Sequence, residues 1–86
     1  MNIQEFQTAV SAHPEFIEVR VDDYRSQFVA VTKKPEAVLT YDYLEGTYTY
    51  AFNGARGIGT SIEAAQEAFD SAYNLVQRQY ELSLLG

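Results

Sequence analysis

The sequence predicts a single α+β domain over residues 1–86: a short N-terminal helix, a four-stranded antiparallel meander, and a long C-terminal helix packed on one face of the sheet. Three observations predict it. Aromatic residues alternate through residues 39–52, residues 16–21 alternate with a period of two, and apolar residues recur at helical spacing from Ile62 onward.

Asn2 caps the first helix, with Glu5 at the third helical position and Ile3, Phe6 and Val10 on one face. The helix should stop near His13, because Pro14 disfavours the α conformation in the residue before it, and His13 is expected to act as a C-terminal cap. A strand follows with Ile17, Val19 and Val21 on one side and Phe16, Glu18 and Arg20 on the other. Polar turns at residues 22–26 and 33–36 bound a second strand, residues 27–32. Pairing Val21 with Phe28 and Val31 with Val38 puts apolar residues of every strand on one face.

In the next hairpin, a loop at Glu45 and Gly46 sets Tyr43 opposite Tyr48, Tyr41 opposite Tyr50 and Leu39 opposite Phe52. The aromatic face needs a cover, and the long helix supplies it. Thr60 and Glu63 have capping-box spacing, and a helix over residues 61–82 carries Ile62, Ala65, Phe69, Ala72, Tyr73, Val76 and Tyr80 as one stripe, widened by Ala64, Ala68, Leu75 and Leu82. Its polar arc is acidic, with Glu63, Glu67, Asp70 and Glu81 as candidate partner-binding residues.

The sheet face turned away from this helix has its own pattern. Val29, Val31, Val38 and Ala51 form an apolar stripe with Glu18, Arg20 and Asp42 around it, so Val29, Val31, Val38 and Asp42 are candidates for a partner or dimer surface. In a four-stranded meander, residues 47–52 form an edge with no lysine or proline to guard it. A homodimer could use either surface.

Composition narrows the function. The formal charge is −6 and the six basic residues are dispersed, so direct nucleic-acid binding and attachment to acidic membranes are not expected. There is no cysteine, which removes disulfides and thiol chemistry. Met1 to Gln7 lack the basic and apolar segments of a leader, and no apolar run is long enough to span a bilayer, so a soluble cytoplasmic protein is expected, in the host cytoplasm if the chain is viral.

No residues stand out as catalytic, metal-binding or cofactor-binding. His13 is the only histidine, with no second nitrogen ligand. Gly54, Arg56, Gly57 and Gly59 lie before a helix, but they match neither the Walker A nor the dinucleotide spacing, and a structural loop over residues 53–59 is expected. The order helix, strands, helix resembles the double-stranded-RNA-binding domain, yet Ser61, Glu63 and Glu67 stand where that family needs basic residues. The run from Gly57 through Ala65 is similar to the strand-to-helix junction of HicB-type antitoxins, and no residue role is carried over from it.

The sequence therefore points to a small acidic, non-enzymatic protein-interaction or regulatory module. A sharper form is an inhibitor of a basic, nucleic-acid-binding protein, of the phage anti-defence type, whose carboxylates stand in for phosphates. The alternative is a small-molecule-binding domain or minor enzyme, with a pocket between the tyrosine-rich sheet face and the helices.

Overall fold

A computed structural model describes residues 2–33 and 37–85. The element order is α1 (Ile3–Ser11), β1 (Phe16–Asp22), β2 (Gln27–Thr32), β3 (Val38–Asp42), β4 (Thr47–Phe52), β5 (Ala55–Gly59) and α2 (Ile62–Leu85). The fold class is α+β as expected, but the sheet has five strands, in the order β1-β2-β3-β4-β5, all antiparallel.

The fifth strand replaces the expected loop. Asn53 and Gly54 have φ of 51° and 84°, the two consecutive positive values that a tight two-residue hairpin requires, and Phe52 pairs with Ala55 across them. Consequently β4 is an interior strand and its edge is not available to a second chain. The edges are β1 and β5.

Two other hairpins close with four-residue loops. Asp22 and Asp42 each open one, and Ser26 (φ 56°) and Gly46 (φ 74°) close them. The Asp42 carboxylate accepts from the amides of Leu44 and Glu45 at 2.9 and 3.0 Å, and the Asp22 carboxylate accepts from the Arg25 amide at 3.2 Å. Because the second loop spans residues 43–46, Tyr41 pairs with Tyr48 and Leu39 with Tyr50, two residues away from the expected register. A slip of two preserves the faces, so the aromatic side stays inside while Tyr43 moves into the loop. The pairings Val21 with Phe28 and Val31 with Val38 are as expected. The turn expected at residues 33–36 lies, from residue 34 to 36, outside the described residues.

One expectation about β1 is reversed. A bulge lies between Phe16, which pairs with Thr32, and Glu18, which pairs with Val31, leaving Ile17 as the extra residue. Ile17 is 64% exposed, and Phe16 packs on the core with its ring edge-on to Tyr50 at 6.2 Å. An unpaired residue shifts the alternation by one, which is why Phe16 faces inward.

Both helices cover the same face. The capping box predicted for α1 is present, Asn2 accepting from the Glu5 amide and the Glu5 carboxylate accepting from the Asn2 amide. Phe6 is fully buried among Phe28, Tyr41 and Tyr48, with ring centroids 5.6 to 6.5 Å away. The long helix lies over β4 and β5, with Ile62, Ala65 and Phe69 buried and Phe69 4.7 Å from the Tyr50 ring. Its cap is Ser61, whose hydroxyl accepts from the Ala64 amide at 3.1 Å and whose carbonyl accepts from Ala65. The expected Thr60–Glu63 capping box is not formed: the cap lies one residue later, at Ser61, and Ala64 at the third helical position has no side-chain acceptor to return the bond.

Gly57 and Gly59 set the approach of α2. A Cβ on Gly59 would lie 2.7 Å from the Ala64 methyl, and one on Gly57 would overlap the helix backbone at Ala65 and Phe69. The cover is shorter than the helix. From residue 74 the stripe leaves the sheet, and Leu75, Val76, Tyr80, Leu82 and Leu84 are exposed, although the helical spacing predicts Leu75, Val76, Tyr80 and Leu82 on the covered side. Strands of five or six residues are about 17–20 Å long and 24 helical residues about 36 Å, so the last turns extend past the sheet.

Candidate functional site

With α1 and α2 on one side, the opposite face of the sheet has no covering element among the described residues. Strand alternation and pairing arrange it in rows across the five strands. One row reads Glu18, Val31, Val38, Ala51, Arg56; the next reads Arg20, Val29, Thr40, Thr49, Ile58; a third begins Asp22, Gln27, Asp42, Thr47. The first two rows are β-branched and small at their centre, with Glu18 and Arg20 on one edge strand and Arg56 on the other, and Asp42 lies at the end of the middle strand. A shallow concavity of about 470 Å³ crosses the face obliquely, lined by Gln27, Thr40, Thr49, Ala51 and Arg56.

The four candidates on this face are brought together but are not equivalent. Val31 and Val38 are adjacent, half-buried partners in the first row. Val29 is buried within the sheet, between Arg20 and Thr40. Asp42 sits at the end of β3 with one carboxylate oxygen committed to the Leu44 and Glu45 amides, so its first role is to close the turn.

Fold and sequence diverge most over Arg56 and Ile58. Both belong to this face only because β5 exists, with Arg56 opposite Ala51 and Ile58 opposite Thr49. The signal that could have found them is Asn53-Gly54, a strong hairpin dipeptide, followed by alternation of small residues with Arg56 and Ile58.

The acidic arc of α2 is exposed at Glu63, Glu67, Asp70 and Glu81, with Asn74 and Arg78 between them. Glu63 is tied to the rest of the fold: its carboxylate lies 3.6 Å from Nε2 of His13, whose Nδ1 is 3.8 Å from Glu15. His13 meets the end of α1 through its backbone amide, which donates to the Val10 carbonyl at 2.8 Å, while the contacts of its side chain with Glu15 and Glu63 are ion pairs when the imidazole is protonated.

Between the tyrosine face and the helices the space is filled by Phe6, Leu39 and Tyr48. A surface cleft of about 420 Å³ lies at the seam of the two helices, lined by Thr8, Tyr41, Tyr48, Ser61 and Glu63 among others. Burial raises the pKa of the Tyr48 phenol, and Tyr41 and Glu63 add to this. Burial likewise raises that of Tyr50, followed by Glu15 and Asp70. Both phenols are thereby held neutral and can donate hydrogen bonds, and neither is activated as a base.

No helix is long and apolar enough to cross a membrane among the described residues, and no group of three or more His, Asp or Glu side chains is placed to hold a metal ion there. Compared with protein-family models, with curated proteins and with solved structures, the chain matches none of them.

Proposed function

We propose that this chain is a small non-enzymatic interaction module that binds a protein through the open face of its sheet. The observation that supports this is the placement of both helices on one side, which leaves the half-buried row through Val31, Val38 and Ala51 without a covering element among the described residues, with charged residues at its rim. Strand propensity by itself also favours β-branched residues on a sheet exterior, and the charged rim around the row is what the binding reading adds. The small-molecule or enzymatic alternative would need a pocket where Phe6, Leu39 and Tyr48 are packed, and the seam cleft is the room left for it.

The sharper form, an inhibitor presenting carboxylates to a basic protein, draws on the exposure of Glu63, Glu67, Asp70 and Glu81 along one arc. One experiment separates the two surfaces. The tagged chain, a Val31→Lys variant and a variant with all four carboxylates changed to glutamine are used to capture proteins from the same extract. A partner lost with Val31→Lys and retained by the glutamine variant supports the sheet face. The opposite pattern moves the function to the helix arc, and a partner held by both rejects each surface.

A further inference from the structure

The first row of the open face is complementary to itself, and we propose that the occupant of this face is a second copy of the chain, related by a twofold axis running along β3. This rests on the open face being an interaction surface and names what it binds.

Five strands make β3 the middle one, so a twofold axis parallel to it lays β1 of one copy over β5 of the other and β2 over β4. Applied to the row Glu18, Val31, Val38, Ala51, Arg56, the operation sets Val38 against its own copy, Val31 against Ala51, and Glu18 against Arg56. The ion pair forms twice. Within one chain the two residues are four strand spacings apart, about 19 Å, and neither has an ion-pair partner among the described residues.

Side-chain length fits the same arrangement. Aligned sheets pack about 10 Å apart and cross at about 30°, so facing residues stay in register near the axis and are displaced by about 5 Å along the strand at the edges. Small and β-branched side chains occupy the centre, where facing positions coincide, and Glu and Arg occupy the edges, where reach is needed. In the next row Thr40 meets its copy, Val29 meets Thr49, and Arg20 meets Ile58. Asp42 would meet its own copy in the outermost row, with its carboxylate already accepting from two turn amides.

The surface is small. Five strands by about five residues give a footprint of roughly 24 by 17 Å, about 400 Å² per copy, which is half that of a standard specific interface and marks the dimer as a weak one. A dissociation constant on the order of 10–100 μM is expected, weakened by the charge of −6 on each copy.

The test is sedimentation of the purified chain from about 5 to 500 μM, with circular dichroism to check the fold of each variant. Glu18→Arg and Arg56→Glu should each weaken the dimer about tenfold or more, and the double variant should return to within about threefold of the unmodified chain. Val38→Lys, which sets two ammonium groups against each other on the axis, should leave a monomer. A chain that is monomeric throughout, or a double variant no better than the folded single ones, overturns the proposal. A monomer whose captured partner is still lost with Val31→Lys overturns the dimer alone. A dimer indifferent to Val31→Lys and Val38→Lys overturns the dimer proposed here, and capture with Val31→Lys then decides whether the open face binds a different protein.

Discussion

Gly57 on β5 lies directly beneath the backbone of Phe69 on α2, so close that a single methyl group on the glycine would overlap the Phe69 amide and the Ala65 carbonyl. The helix thus rests on the strand itself, and Phe69 is brought to 4.7 Å from Tyr50. Because both neighbours of the missing Cβ are backbone, nothing can rotate away. Gly57→Ala should destabilise the fold by about 3 kcal/mol or more. Gly54→Ala, with open space around it and only its φ of 84° to oppose it, should cost about 1–2 kcal/mol. Urea titration of the two variants checks the order, and equal midpoints would mean that α2 does not sit on β5 in this way.

The two four-residue loops differ at their closing position. Ser26 holds φ at 56°, where an L residue is strained by roughly 1–2 kcal/mol, and glycine at that position is not. Part of the gain is offset by the greater freedom of glycine in the unfolded chain. Ser26→Gly should therefore stabilise by about 0.5 kcal/mol, whereas Asp42→Ala, which frees two turn amides, should destabilise by about 1 kcal/mol. Thermal denaturation reads both, and a loss on Ser26→Gly would contradict the backbone conformation of the first loop.

Along α2 the cost of truncating a ring should fall abruptly. Phe69→Ala removes a buried ring and leaves a cavity, worth about 3–5 kcal/mol. Tyr80, 61% exposed beyond the end of the sheet, should cost under about 1 kcal/mol when changed to alanine. Denaturant midpoints measured on dilute protein give the comparison. A Tyr80→Ala loss near that of Phe69→Ala would show that the last turns of α2 are covered.

Changing Glu63, Glu67, Asp70 and Glu81 together to glutamine should leave the fold intact. The expected loss is about 1 kcal/mol or less, chiefly at Glu63, in the first turn of α2 where the helix dipole favours a carboxylate. Circular dichroism and a melting curve test this. Should the arc serve a basic partner, the same variant would bind it more weakly and with a flatter salt dependence.

Raised pKa values at Tyr48 and Tyr50 make a statement about alkaline stability. In the unfolded chain a tyrosine ionises near 10; in the fold, burial holds both phenols neutral to higher pH. Their contribution is therefore fully present below pH 10 and is lost as the pH rises through the folded values, because the unfolded chain releases its protons first. Stability should be flat in this respect at neutral pH and decline above about 10. Ultraviolet titration of tyrosinate in the native chain should show Tyr48 and Tyr50 ionising later than in the unfolded chain, and Tyr50→Phe should remove one of these late steps.

Local chemistry explains what could be read from the sequence alone. The capping box at Asn2 and Glu5, the period of two in β2 to β4 and the helical stripe from Ile62 to Phe69 each depend on residues within a few positions of one another, and each appears in the fold. Even a register wrong by two left the aromatic face correct, since a strand repeats its side every two residues.

Tertiary packing decided the rest. Glycines have poor strand propensity, so residues 55–59 read as a loop until α2 requires a surface without side chains and β4 supplies the hydrogen-bond partners. A bulge that no local pattern announces turned Phe16 inward and Ile17 outward. The composition of α2 carries its apolar stripe to the end of the helix, but the length of the strands beneath determines where burial stops. For the candidate site, the valines were legible in β2 and β3, whereas the opposing charges of Glu18 and Arg56 became ends of one row only when a fifth strand placed β3 at the centre of the sheet.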